Sequence, residues 1–163
     1  MTTDTLTPPA TEIGLEITWA YEPFDGLSLR TLYEVLQLRS EVFVVEQACV
    51  FQDMDGADEQ AMHLLGRSGG QLVAYARCFP AGVKYAEASI GRVITRSSAR
   101  ASGRGHVLMQ RAIDAMDAHW GSQPIRIGAQ ARLEKFYNRH GFVKAGPIYD
   151  EDGIDHIEMV RPA

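Results

Sequence analysis

The sequence predicts a mixed α/β fold, and three observations carry that expectation. Apolar residues recur at strand spacing in Ile13, Leu15, Ile17 and Trp19, and at helix spacing in Leu108, Met109, Ala112, Ile113, Met116 and Trp120, so both periods occur in one chain. The two kinds of segment interleave, in the order β-α-β-β-β-α-β-α-β-β. The 163 residues, 45% hydrophobic and 23% charged, are enough for one well-formed core and too few for two ordinary domains.

Taken in chain order, Met1 to Thr11 is rich in Thr and Pro and has an acidic residue where a signal peptide carries basic ones. It reads as a disordered leader, residues 1–11, ahead of a single domain at 12–163. The alternation from Ile13 to Trp19 makes a half-buried first strand. Ser28 is an N-cap for a helix in which Leu29, Leu32, Tyr33, Leu36 and Phe43 share a face, extending to about Val44. Ala48 to Gln60 is loop-like. His63 to Arg67 and Gln71 to Cys78 form a hairpin around Ser68-Gly69-Gly70. After a connection, Ala88 to Thr95 is a further strand, and Val107 to Trp120 is a helix with one broad apolar face. Ile125 to Ala131 reads as a strand. A short helix bearing Leu133, Phe136, Tyr137 and His140 closes on Gly141 in the C′ position. Strands at Val143 to Ile148 and Asp155 to Arg161 flank an acidic turn, Tyr149 to Gly153.

Composition narrows the function. The net charge of -5 and pI near 5.5 argue against sequence-independent nucleic-acid binding, which needs a basic face. Two cysteines without CxxC, Cys49 and Cys78, indicate neither a disulfide framework nor a structural metal. No apolar run reaches the roughly eighteen residues of a membrane span. The expectations are a soluble cytoplasmic chain, no metal, no nucleic-acid or membrane partner, and a monomer or homodimer.

Arg100-Ala101-Ser102-Gly103-Arg104-Gly105 lies between a strand and a helix start. That junction presents unpaired backbone N–H groups and the positive end of a helix dipole to an anion. Arg92, Arg96, Arg100 and Arg104 cluster there in an otherwise acidic chain, as a polyphosphorylated ligand would require. A tight turn with solvated arginines reads equally well. His106 and Val107 stand where Walker A needs Lys and Ser/Thr, and Leu108 stands where the dinucleotide fingerprint needs Gly or Ala.

Arg100, Gly103 and Gly105 fill the Gln/Arg-x-x-Gly-x-Gly/Ala pattern, and with the element order around them the chain resembles the GNAT N-acetyltransferases. The likeness spans about Trp19 to Arg161 and is close to the ElaA-like subfamily through Leu38 to Gln47, Gly128 to Ala131 and Glu151 to Ile157. The resemblance implies a mixed, mostly antiparallel central sheet of about seven strands with helices on both faces. It implies acetyl-CoA as acetyl donor and an amine as acceptor. The pyrophosphate would lie on the backbone of Arg100, Ala101, Ser102, Gly103, Arg104 and Gly105, and pantetheine along Val93, Ile94 and Thr95. Gln130 stands where the family often has an Asn that bonds the pantetheine arm. Tyr137, a core aromatic by periodicity alone, becomes the general acid. A backbone N–H at Val93 or Ile94 is the oxyanion donor, with Gly91 consistent with a bulge in that strand.

A base must take the proton of the attacking amine. Glu46 and His156 are the leading candidates for base or substrate contact, with Asp53, Asp55 and Glu158 behind them; a solvated or salt-bridged role competes at each. Asp53-x-Asp55-Gly56-x-Asp58 lacks the EF-hand's glycine position and reads as a solvated acidic loop near a cationic substrate. His63, His106, His119 and His140 show no ligand spacing. Two other functions fit less well: a non-catalytic CoA-binding or regulatory module, against which Tyr137 argues, and an acyl-homoserine-lactone synthase, suggested by Arg39-Ser40-Glu41-Val42-Phe43 but not by the Arg100 to Gly105 turn.

Overall fold

The computed structural model describes residues 16–100 and 103–163. The expected leader, Ile13, Leu15, Ala101 and Ser102 lie outside the described residues. The elements are β1 (Thr18–Pro23), α1 (Leu29–Arg39), β2 (Met62–Ser68), β3 (Gln71–Phe79), β4 (Ala88–Thr95), α2 (Arg104–Trp120), β5 (Ile125–Gln130), α3 (Glu134–Asn138), β6 (Val143–Lys144), β7 (Tyr149–Glu151) and β8 (Ile154–Arg161). They build an eight-stranded sheet in the order β1-β2-β3-β4-β5-β8-β6, with β7 also on β8. Every pairing is antiparallel except β4 with β5.

One face carries α1, and the other carries α2 together with the short α3. Val35, Leu38 and Val42 pack with Leu65, Leu72, Tyr75 and Ile94 on one side. Leu108, Met109, Ala112, Ile113 and Met116 of α2 cover Ala74, Ala76, Cys78, Ile90 and Ile127 on the other. Ser28 caps α1 as its sequence position implies, accepting from the Thr31 amide at 3.0 Å. Beyond Arg39 the helix does not continue in α form to Val44. It widens into a π-helical stretch, Ser40–Glu46, whose later amides reach back five residues, Gln47 N to Val42 O at 3.3 Å and Cys49 N to Val44 O at 3.1 Å. β-Branched Val42, Val44 and Val45 crowd a regular helical turn, and the wider turn carries Phe43, Glu46 and Gln47 onto the rim of the site.

The C-terminal strands also differ from expectation. β6 stops at Lys144 because Ala145-Gly146-Pro147 follows, and proline offers no ladder N–H. The acidic turn is a hairpin: Tyr149–Glu151 is strand, and only Asp152 and Gly153, at φ 52° and 80°, make the turn, the two positive φ values of a type I′ connection. At Gly66 an added Cβ would stand 2.7 Å from the Trp19 ring and 3.0 Å from Ala74 Cβ. Gly66→Ala is therefore expected to lower stability by about 1–3 kcal/mol, read as a drop in the urea midpoint at unchanged slope.

Candidate active site

The site begins with an irregularity in β4. Tyr75 pairs with Ile94 but Arg77 pairs with Gly91, so β4 carries one extra residue. Arg92 occupies this bulge at φ 50°, a strained conformation for a residue with a side chain. The bulge reverses which residues face α2: Ile90 does before it and Val93 after it, while Ile94 joins the α1 side. β4 pairs with β5 only at Ala88 and Ser89. Beyond Ser89 the two strands part, and a cleft of about 920 Å³ opens between them. Val93, Ile94 and Thr95 line it from β4, Gln130 from β5, and Arg100 and Tyr137 from beyond the strands. The structure thus brings these sequence candidates together with Glu46 and His156 in one cleft.

At one end α2 starts behind Gly103, whose φ of 68° makes the turn. The first intrahelical donors to Gly103 O are His106 N at 3.0 Å and Val107 N at 3.3 Å. The Arg104 and Gly105 amides thus precede the helical ladder and remain as donors. The four arginines do not converge as free cations. Arg92 bonds Asp53 at 2.8 Å, Arg96 bonds Glu41 at 2.8 Å and Leu72 O at 3.2 Å, and Arg100 bonds Glu46 through both Nη atoms and Thr95 O at 3.0 Å. In an acidic chain these guanidinium groups find internal acceptors. Arg104 alone of the four has no ion pair among the described residues. An anion here is met chiefly by backbone and helix dipole, which fits a pyrophosphate held by amides.

Tyr137 is 8% exposed, clamped edge-on by Phe136 and Phe142 at 5.0 and 6.0 Å. A C-terminal turn fixes α3 around it: Gly141 at φ 84°, with Phe142 N donating to Tyr137 O at 3.3 Å. Its hydroxyl has no hydrogen-bond partner among the described residues and opens onto the cleft. Burial pushes the phenol up to about 12, with Arg132 pulling the other way, so it stays a proton donor at neutral pH.

The Glu46 carboxyl is held below its usual range by the Arg100 hydrogen bonds. Gln130 donates from Nε2 to Gln47 Oε1 at 3.1 Å and accepts from Arg132 Nε at 3.1 Å. His156 places Nδ1 2.7 Å from Ile154 O. A carbonyl only accepts, so Nδ1 carries a proton, and Nε2 lies 3.4 Å from Glu151 Oε2.

The aspartates of the Asp53 to Asp58 loop are ion-paired rather than freely solvated. Asp53 is 7% exposed and Arg39 is fully buried. Arg39 bonds Asp53 at 2.8 Å and Asp58 at 2.6 Å, and Arg77 bonds Asp55 at 2.7 Å and Asp58 at 2.9 Å. Asp53, Asp55 and Asp58 thus serve as counterions that brace a wall of the cleft. Glu158 bonds Arg126 at 2.8 Å. His63 is buried between Tyr75 Oη at 2.7 Å and Asp58 O at 2.9 Å, and His106 and His140 contact each other at 3.0 Å. Sequence reasoning missed Arg77, Lys84, Tyr85 and Tyr149, which also line the cleft. An arginine inside the buried run Leu72 to Phe79 demands an acidic partner, and the three nearby aspartates were the available signal.

A family model described as an acetyltransferase (GNAT) domain matches residues 30–162. The chain belongs to the GNAT family. Within it the ElaA protein of Escherichia coli is 42% identical over 147 residues, 89% of this chain and 96% of ElaA. The ElaA crystal structure superposes with a TM-score of 0.84 at 40% identity, covering 90% of this chain and 99% of that one. An acyl-CoA N-acyltransferase from Pseudomonas aeruginosa superposes at 0.86 with 42% identity, over 90% and 99%. The acyl-homoserine-lactone synthase LasI, at TM-score 0.72 and 16% identity over 90% of each chain, shares the fold alone. This GNAT chain is an acyltransferase of the ElaA-like group, and the family draws its acyl group from acetyl-CoA or another acyl-CoA. No helix among the described residues is long and apolar enough to cross a membrane.

Proposed function

We propose that the chain transfers an acetyl group from acetyl-CoA directly to a primary amine of a small molecule or peptide, with Tyr137 as general acid. The observation that carries this reading is the unpartnered hydroxyl of a buried Tyr137 in the cleft where β4 and β5 part. Bound acetyl-CoA supplies the acyl group as an activated thioester. The amides of Gly103, Arg104 and Gly105 would hold its pyrophosphate, and Val93 to Thr95 would offer backbone groups to its pantetheine arm; Arg100, expected there too, instead has its amide on Ser97 O and its guanidinium on Glu46 and Thr95 O. Gln130 would meet the same arm, its amide oriented by Gln47 and Arg132.

The bulge supports the choice of oxyanion donor. Of the two candidates, Val93 or Ile94, Ile94 is paired with Tyr75 on β3, whereas Arg92 turns the strand out of register and leaves Val93 without a β3 partner, so the Val93 N–H is the proposed donor to negative charge on the acyl oxygen. On the acceptor side an alkylamine with a pKa of about 10.4 is neutral in only about one molecule in a thousand at pH 7. His156 Nε2 is the proton acceptor of this proposal, with Glu151 beside that same nitrogen to stabilise the charge it gains. Glu46 orients Arg100 instead, because a carboxylate already bound by a guanidinium is a weak base.

Thiol release from acetyl-CoA across a panel of primary amines tests the reading. At least one amine is expected to raise the rate by tenfold or more over background hydrolysis. A full panel without turnover overturns it.

A further inference from the structure

We infer that the acceptor amine carries a carboxylate of its own, held by Arg92 and Lys84 on the wall of the cleft opposite Tyr149 and His156. The inference rests on the acyl-transfer reading above and extends it to the class of acceptor.

The charges of that wall do not cancel. Arg39, Arg77, Arg92 and Lys84 share three counterions, Asp53, Asp55 and Asp58. Each aspartate already has two cationic partners at 3.1 Å or less, so the cluster holds one positive charge in excess. Its position follows from burial. The Arg39 and Arg77 side chains are 0% and 2% exposed and bridge pairs of aspartates, whereas Arg92 and Lys84 are 24% and 35% exposed and line the cleft. The excess therefore faces the cleft, half withdrawn from water, where a matching anion gains most.

Both cations are also held in place. The Arg92 guanidinium lies 5.8 Å from the Phe43 ring centroid and 5.6 Å from that of Phe51. Its Nε and Nη2 bond Asp53, and Nη1 has no hydrogen-bond acceptor among the described residues. Lys84 Nζ sits 5.3 Å from the Phe79 centroid and 3.1 Å from Asp55. A cation fixed by aromatic faces loses little freedom when an anion arrives. Because Arg92 stands in the bulge itself, an anion on it lies beside the opened backbone of β4.

The facing wall has the opposite character. Around Gly128, the Tyr149 and Tyr85 hydroxyls would stand 2.9 and 3.2 Å from an added Cβ. Glu151 lies beside His156 in the cleft. One wall thus suits an ammonium or amine and the other an anion. A single excess charge matches a carboxylate better than a phosphate ester, which carries about -1.5 to -2 at pH 7. The acceptor class is an amino acid or a short peptide with a free carboxylate.

The test pairs amino acids and dipeptides with their C-terminal amides and adds phosphoethanolamine. Binding is measured by calorimetry on the CoA-saturated protein, and turnover by thiol release. The best acid is expected to bind at least tenfold more tightly than its amide. Lys84→Gln should shrink that ratio to about threefold or less, and Lys84→Arg should preserve it. Amides that bind as well as acids, a preference for phosphoethanolamine, an unchanged ratio in Lys84→Gln, or no binding of any acid overturns the inference. Acids that bind preferentially yet release no thiol overturn acetyl transfer and leave the carboxylate site standing.

Discussion

Tyr137→Phe is expected to lower kcat for acetyl transfer by about 100-fold or more, within the range of general acid catalysis, while leaving the Kd for acetyl-CoA within about threefold. The substitution removes one oxygen that has no hydrogen-bond partner among the described residues, and it keeps the ring packed on Phe136 and Phe142. Folding and donor binding should therefore be preserved. The phenol, pushed up to about 12 by burial, lies well above a thiol near 8.5, so complete proton transfer to the leaving sulfur is uphill by about 5 kcal/mol. The hydroxyl accordingly acts first as a hydrogen-bond donor to the developing thiolate. Arg132, the neighbouring cation that favours the phenolate, eases completion of the transfer. An unchanged kcat in Tyr137→Phe would overturn the acid assignment and direct attention to solvent as the proton source. Steady-state kinetics and calorimetry on the same preparation separate the two terms.

Much of this framework is legible in the sequence because it is written in local patterns. Ser28 and Gly141 mark helix ends through backbone geometry that their own side chains, or the lack of one, permit. β4 runs from Ala88 to Thr95 as its apolar run implies. The helix expected from Val107 begins three residues earlier, at Arg104, because Gly103 in the left-handed region turns the chain straight into it and no apolar periodicity marks that first turn. What local pattern could not supply is pairing between distant residues. That Arg100 would turn to Glu46 rather than to an anion depends on the widened end of α1 lying over β4. The aspartates near residue 55 looked solvated because nothing beside them is basic; their partners Arg39, Arg77 and Arg92 arrive from three separate elements. The strand Tyr149–Glu151 was hidden by its charge, since an edge strand facing a polar cleft lacks the apolar alternation that identifies buried ones.

The second large effect is on stability, and it comes from that same ionic network. Arg39→Met is expected to cost about 3–5 kcal/mol, because it withdraws a fully buried cation from Asp53 and Asp58 and leaves their lone pairs facing an apolar side chain. Arg67→Ala, which breaks a pair with Glu34 whose side chains are 26% and 33% exposed, should cost under about 1 kcal/mol. Urea unfolding of both variants measures the contrast; a loss below about 1 kcal/mol in Arg39→Met would mean that the loop is held by packing alone. Acid should reproduce part of the effect in the unmodified chain. Hydrogen bonds from Arg77 hold the Asp55 carboxyl below its usual range. At Asp58 burial pushes the carboxyl up, but bonds from Arg39 and Arg77 outweigh it and the net shift is downward. Burial likewise lowers His63, which accepts from Tyr75 and donates to Asp58 O in its neutral form. All three folded-state values lie below the unfolded ones, so their stabilisation is full above the unfolded pKa and is lost as pH falls towards the folded one. Stability should therefore decline first below about pH 6.5, where the unfolded chain protonates this histidine and the folded chain does not, and again below about pH 4, where the same holds for the aspartates, read as a falling urea midpoint. The same network holds the loop that carries Phe51 and Asp53, the supports of Arg92, so its loss in Arg39→Met should weaken acceptor binding as well as stability.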